Sequence, residues 1–390
     1  MIIIDIMDKD DINYFDYNIQ SRKKIIEKNN KVILAFKKKE TTIKPEEKIR
    51  FLSNKIEFFE YNDEKEILEL IKYNPSTIIN TFYEKYINIS NKLKKELQKT
   101  TKDSNIFLNK YLQRHTIKKF PETITKHIKI EKESDLKQLS ELNYPLFLKP
   151  FLTSITRKIH NKDELMEQIP QTLSILEKLN QNNFEENLLL EEFIEELFAM
   201  SYFVDEKQEI HINKVMKQRD NLTHTHLICL VSEEANSEIN LEKFKEFAKK
   251  TVINIKNTFI CHQFKKTPNG ELKTIELNRI GFNVELYNFT YGMNFFEIYT
   301  DKFKTTESSS AGFFRIYPKQ KQKFNYNMDL FRKINNLASK QRRYLLKVKE
   351  EFVTPSDGSE YYTLVLHHPD KEQFQKDFNF VRENYYNIFL

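Results

Sequence analysis

The chain has 390 residues, of which 39 % are apolar and 31 % charged, with a formal net charge of +6. Two or three domains of ~100–200 residues fit that length, and a mixed-sign surface with 32 Phe and 19 Tyr excludes a disordered or fibrous chain. The lysines fall in clusters flanked by Glu, as at Lys92 to Lys95 before Glu96, and read as solvated faces rather than a nucleic-acid surface.

The first hundred residues alternate apolar runs (MIIIDI, KVILAF, KIEFFEY, STIIN) with a polar helix near 16–29 and the amphipathic EKEILELIKY. Runs apolar at consecutive positions predict strands buried on both faces, and their alternation with helical segments a parallel α/β sheet. The first glycine anywhere is Gly270, so the glycine-rich turns of a dinucleotide site and of a P-loop are both missing. The opening MIIIDIMDKDDI has no basic flank and no window reaches the ~18 apolar residues of a span; neither signal peptide nor membrane helix is expected, and the location expected is cytoplasmic. Cys229 and Cys261, far apart and without a CxxC, predict neither a disulfide framework nor a zinc site.

Polar, helix-prone residues 90–104 mark a boundary, giving expected units of 1–98, 99–190 and 191–390. The second unit runs through NKYLQRHTIKKFPETI, the strand YPLFLKP, TRKIH, a long helix to about 182 and the strand NLLLEEFI. From FAMSYFVD onward the pattern turns antiparallel, through EIHINKVMK and HTHLICLV. An amphipathic helix over 241–257 follows, then a hairpin of TFICHQFKK and ELKTIELN closed at Pro268-Asn269-Gly270, a helix over about 284–303 and a C-terminal α+β section.

Three stretches carry chemistry. Lys149 ends an apolar strand before a hydroxyl-rich turn, where an ammonium and turn donors can converge on a phosphate. Glu191 and Glu192 follow an apolar strand, a hinge whose backbone can pair with an adenine edge. In IELNRIG, Glu276 and Asn278 are two apart on a strand and share a face, an oxygen-ligand pair suited to Mg2+.

Lys110 with the following FPETI, the strand YPLFLKP, LLLEEFI, HINKV, and CHQF with IELNRIG occur in the order found in the ATP-grasp superfamily. The chain resembles in particular its carboxylate-amine ligases, the L-amino-acid ligase branch, over nearly its whole length. The resemblance implies a fold of mixed α/β and α+β class: a Rossmann-like pre-ATP-grasp domain, two ATP-grasp lobes and a C-terminal α+β section. It implies an ATP-dependent ligase, requiring Mg2+ with Mn2+ able to substitute, that forms an amide or peptide bond through an acyl phosphate. Lys110 and Lys149 then reach the phosphates, and Glu191, Glu192 and Ile194 form the adenine hinge, the last two through their backbones. Lys214 is either a third phosphate cation or a strand-surface lysine. Glu276 and Asn278 hold the metal, and Arg279 steadies the transferring phosphoryl group. Partners would be a small carboxylate and an amine, amino acids or a short peptide, with a homodimer allowed and no nucleic acid or membrane. Residues 217–226, KQRDNLTHTH, have the character of a substrate loop; Arg315 is placed to pair a substrate carboxylate or to sit on a strand surface, and His226 to line the pocket.

The chain departs from that pattern in four places. Gln263 replaces a metal carboxylate, and the loop after Lys149 offers Ser154, Thr156 and Arg157 in place of glycines. Where the ribose acid is expected, gap-free counting lands on Phe198 and Glu195 or Glu196 needs a shift, and the Asn-Pro-Arg triplet lacks its Pro. These keep open an alternative, a degenerate ATP-grasp protein that binds nucleotide or a partner without catalysis.

Overall fold

The computed structural model describes residues 2–7, 31–38, 56–72, 77–81, 86–96, 107, 109–131, 133–151, 156–179, 187–193, 197–205, 207–220, 226–231, 238–253, 255, 258–278, 310–316, 327–347, 360–384 and 387. Strands β1 (Ile2–Met7), β2 (Lys31–Lys37), β3 (Ile56–Tyr61) and β4 (Thr77–Asn80) form a sheet in the order β3-β2-β1-β4, every pair parallel. Val32 to Phe36 of β2 are all buried, so both faces of the sheet are covered. Helix α1 (Glu64–Ile71) opens on a capping box between Asp63 and Glu66. Its Ile67 and Ile71 pack with Ile4, Ile6, Ile33 and with Leu93 of α2 (Ile87–Glu96). The expected helices near 16–29 and 284–303 lie outside the described residues.

A short helix, α3 (Lys110–Thr116), precedes the second sheet. That sheet joins β5 (His127–Ile130), β6 (Leu146–Pro150), β7 (Arg157–Ile159) and β8 (Leu188–Glu192), antiparallel in the order β5-β8-β6-β7. Helix α4 (Lys162–Leu179) covers one face, where Leu146, Leu148, Leu188 and Leu190 pack on Leu165 and Leu176. Alternation puts Phe147, Lys149, Leu189 and Glu191 on the other face. The division expected between residues 190 and 191 falls inside β8, which pairs with β6 as far as Glu192.

The third sheet is antiparallel, in the order β13-β12-β9-β10-β11-β14-β16-β15. Its strands are β9 (Leu197–Val204), β10 (Ile210–Asp220), β11 (His226–Val231), β12 (Thr258–Lys266), β13 (Leu272–Asn278), β14 (Ser310–Ile316), β15 (Lys340–Lys347) and β16 (Glu360–His368). Phe244, Phe247 and Ala248 of α5 (Leu241–Thr251) pack against Phe198, Met200, Ile260 and Phe264 at one end. At the other, α6 (Met328–Asn335) and α7 (Lys371–Asn384) cover Phe314, Leu364 and Leu366. The α7 helix comes so close that a Cβ on Gly312 would stand 2.4 Å from the Phe378 ring.

Two expectations are corrected here. The helix expected over 241–257 stops at Thr251, where β-branched Thr251, Val252 and Ile253 disfavour further turns. The loop expected over 217–226 is shorter, because Lys217 to Asp220 belong to β10 and His226 begins β11; residues 221–225 lie outside the described ones. The turn at Pro268-Asn269-Gly270 does close the β12–β13 hairpin, with Gly270 at φ +76°. Among the described residues no helix is long and apolar enough to cross a membrane.

Candidate active site

Lys110, Gln113 and Arg114 stand at i, i+3 and i+4, so they share one face of α3, and all three are buried. The Asn109 side chain caps the helix, accepting from the Leu112 N–H at 3.0 Å. The buried face docks on β13, the outermost strand of the third sheet. Gln113 Nε2 donates to the Leu277 carbonyl at 2.9 Å, and the Leu277 N–H donates back to Gln113 Oε1 at 2.9 Å. The side-chain amide thereby does what a neighbouring strand would do. Arg114 Nη2 donates to the Ile275 carbonyl, and a parallel bridge between Ile124 and Thr274 extends the cover.

Glu276 lies between the two peptides so clamped. Its Oε1 is 3.3 Å from Lys110 Nζ, and its side chain keeps 23 % exposure. Burial pushes its carboxyl up, but Lys110 and Lys149, with hydrogen bonds from Lys110 and Asn278, hold it below the usual carboxylate range.

Arg114 also ties α3 to the second sheet. Its Nε and Nη2 reach Glu191 Oε1 at 2.7 and 2.6 Å; Thr125 Oγ1 donates to the same oxygen at 3.2 Å. Lys149 Nζ takes Glu191 Oε2 at 2.8 Å. Burial alone would raise the Glu191 carboxyl, yet the two cations bring it down to about 2.

The structure thus brings together Lys110, Lys149, Glu191, Glu276 and Asn278. Gln263 joins them, standing directly opposite Glu276 in the β12–β13 register. Glu192 ends β8 with its N–H donating to the Lys126 carbonyl at 3.2 Å. Thr156 is half-buried just before β7. Ser154, Ile194 and Arg279 lie outside the described residues, Arg279 following directly on β13. Lys214 falls in the β10 irregularity between Ile212 and Val215. Arg315 pairs with Leu227 and Thr363. His226 pairs with Ile316.

Sequence reasoning passed over Gln113, Arg114, Thr125 and Lys265. The polar stripe Lys110, Gln113, Arg114 at helical spacing was the available signal for the first two. Lys265 stands two residues beyond Gln263 on the same side of β12, facing Lys273 in register. Burial pushes its amine down to about 8, Lys273 adds to this and the Glu192 and Glu191 carboxylates oppose it. Among the described residues one further group has metal-ligand types, Asp205, Glu209 and His211. Asp205 there accepts the N–H groups of Lys207 and Glu209, as in an ordinary turn.

No protein-family profile and no curated protein matches the sequence. Solved structures do match the fold. An L-amino acid ligase from Bacillus licheniformis superposes with a TM-score of 0.73 at 12 % identity, covering 98 % of this chain and 97 % of that one. An N5-carboxyaminoimidazole synthetase from Staphylococcus aureus complexed with ADP gives 0.65 at 14 %, covering 97 % and 96 %. The biotin carboxylase domain of Hydrogenobacter thermophilus 2-oxoglutarate carboxylase, in complex with MgADP, ADP and bicarbonate, gives 0.62 at 13 %, covering 94 % and 86 %. With a parallel N-terminal sheet, a four-stranded lobe and an eight-stranded lobe matching these structures almost end to end, the chain has the ATP-grasp fold.

Proposed function

We propose that the residues gathered where α3 joins the second and third sheets bind MgATP and that the protein is an ATP-dependent ligase joining a carboxylate to an amine. One observation carries the reading: Lys110 and Glu276, far apart in sequence, meet at 3.3 Å, while Arg114 on the same helix face joins Glu191, the partner of Lys149. The donor set fits the metal. Glu276 and Asn278, two apart on β13, and Gln263 opposite Glu276 offer oxygen ligands, as a hard cation prefers. Three buried cations, Lys110, Arg114 and Lys149, face two carboxylates, Glu191 and Glu276, an excess of positive charge that suits a polyphosphate.

In this reading Lys110 and Lys149 hold the phosphates, with Thr156 and Ser154 at the loop beyond. A bound Mg2+ would supply charge neutralisation at the phosphates. Arg279, next after the metal strand, steadies the transferring phosphoryl group. Glu192 meets a base edge through its carbonyl, since its N–H is engaged, and Glu191 serves as an internal counter-ion. Arg315 pairs the substrate carboxylate. That carboxylate attacks the γ-phosphorus with ADP leaving; the amine then attacks the acyl carbon of the acyl phosphate and phosphate leaves. Positioning and charge cancellation supply the catalysis.

The amide of Gln263 opposite Glu276 favours a second reading, a nucleotide-binding protein without turnover, because only one charge then holds the metal. Phosphate release from MgATP, with amino acids supplied in pairs and Glu276→Ala as control, separates the two. Release on some pair, lost in the variant, supports the ligase. A nucleotide-dependent melting shift with no release on any pair supports the second reading, and no shift at all defeats both.

A further inference from the structure

Within the proposed nucleotide site, the two carboxylates are held in different ways. Glu191 is saturated: Arg114 and Thr125 occupy one oxygen and Lys149 the other, at 2.6 to 3.2 Å. Arg114 remains with Glu191 whatever Lys149 does, because it is also anchored to the Ile275 carbonyl. Glu276 is held more loosely. Lys110 stands 3.3 Å from it, and the two side chains keep 9 % and 23 % exposure. The Lys110 backbone is fixed, its N–H donating to the Phe151 carbonyl at 3.0 Å, so only the flexible four-carbon stem can carry the ammonium elsewhere.

A divalent ion on Glu276 needs a carboxylate oxygen at about 2.0–2.1 Å. An ammonium against that same oxygen repels the incoming cation and occupies one of its lone pairs. We infer that Lys110 is the resident counter-ion of Glu276, and that this carboxylate accepts the metal only as nucleotide phosphates draw Lys110 away. The exchange conserves local charge pairing: the ammonium leaves a carboxylate for a phosphate, and the metal takes the carboxylate. The site therefore loads metal and nucleotide together and takes up little metal alone. This rests on the nucleotide-binding reading above.

Mn2+ binding to the full chain, followed by loss of the free-ion electron paramagnetic resonance signal with and without ADP, tests it. Wild type is expected to bind Mn2+ strongly only with ADP. Lys110→Met removes the competing charge, so Mn2+ alone should bind about tenfold tighter than to wild type while ADP with metal binds about tenfold weaker. Those opposite signs are what a merely structural lysine would not produce. Adding Glu276→Gln to Lys110→Met should abolish the gained site, and a gain that survives would overturn the inference by placing the ion elsewhere. So would wild type binding Mn2+ equally well without ADP, or Lys110→Met weakening both ligands. If the Met variant does not fold, Lys110→Gln carries the same expectation. Wild type that binds no ADP under any condition defeats the functional proposal, and this inference with it; wild type that binds ADP with Mn2+, beside unchanged Mn2+ affinity in the variant, defeats this inference alone.

Discussion

Glu191 is 1 % exposed and ionised, which is tenable only with Arg114 and Lys149 beside it. Arg114→Met is expected to destabilise the fold by about 3–5 kcal/mol, read from a denaturant midpoint, with Arg114→Lys recovering part. The acid limb follows from the same group. Its carboxyl titrates at about 2 in the fold against an ordinary 4.5, so its stabilisation is complete above 4.5 and is lost as pH falls towards 2. The urea midpoint should drop across that window, and Glu191→Gln should drop less. Lys265 has the reverse sign. Its amine sits at about 8 instead of 10.5, so the fold carries a penalty below pH 8 that fades as pH rises to 10.5. Lys265→Met should raise the melting temperature at pH 7, by an amount that vanishes in strong alkali.

At the scale of elements, local pattern was a good guide where an element's own residues decide it. The run VILAF became a doubly buried parallel strand, and the turn at Gly270 closed its hairpin in register. LLLEE and LFLKP became paired strands of one sheet. The docking of α3 was not legible, because its partners on β13 stand 161 and 164 residues away and nothing in NKYLQRHT names them. For the same reason Glu191 read as a hinge residue, when its side chain answers to Arg114. The α7–β14 contact is likewise invisible in sequence: Gly312 is small because Phe378 and Phe374 fill the space above it. Gly312→Ala should cost about 1–3 kcal/mol through overpacking, measured by chemical denaturation.

For the molecule as a whole, β13 with Glu276 lies at the edge of one sheet and Lys149 near the end of a strand in another. Both are held by a single seven-residue helix. A ligand bridging the two should therefore stabilise everything at once. MgADP at 100 times its dissociation constant is expected to add about 2.7 kcal/mol, seen as a rise in melting temperature that Glu276→Ala diminishes.

Because α3 reaches forward 164 residues to Leu277, the part of its inner face that meets β13 cannot be completed while the first lobe is emerging from the ribosome. Gln113 must wait in water until β13 has been translated, whereas Arg114 can already meet Glu191. On the proposed reading, activity should arrive late in synthesis and all at once, and a product truncated before Leu272 would keep a complete N-terminal sheet yet lack Glu276 and Asn278.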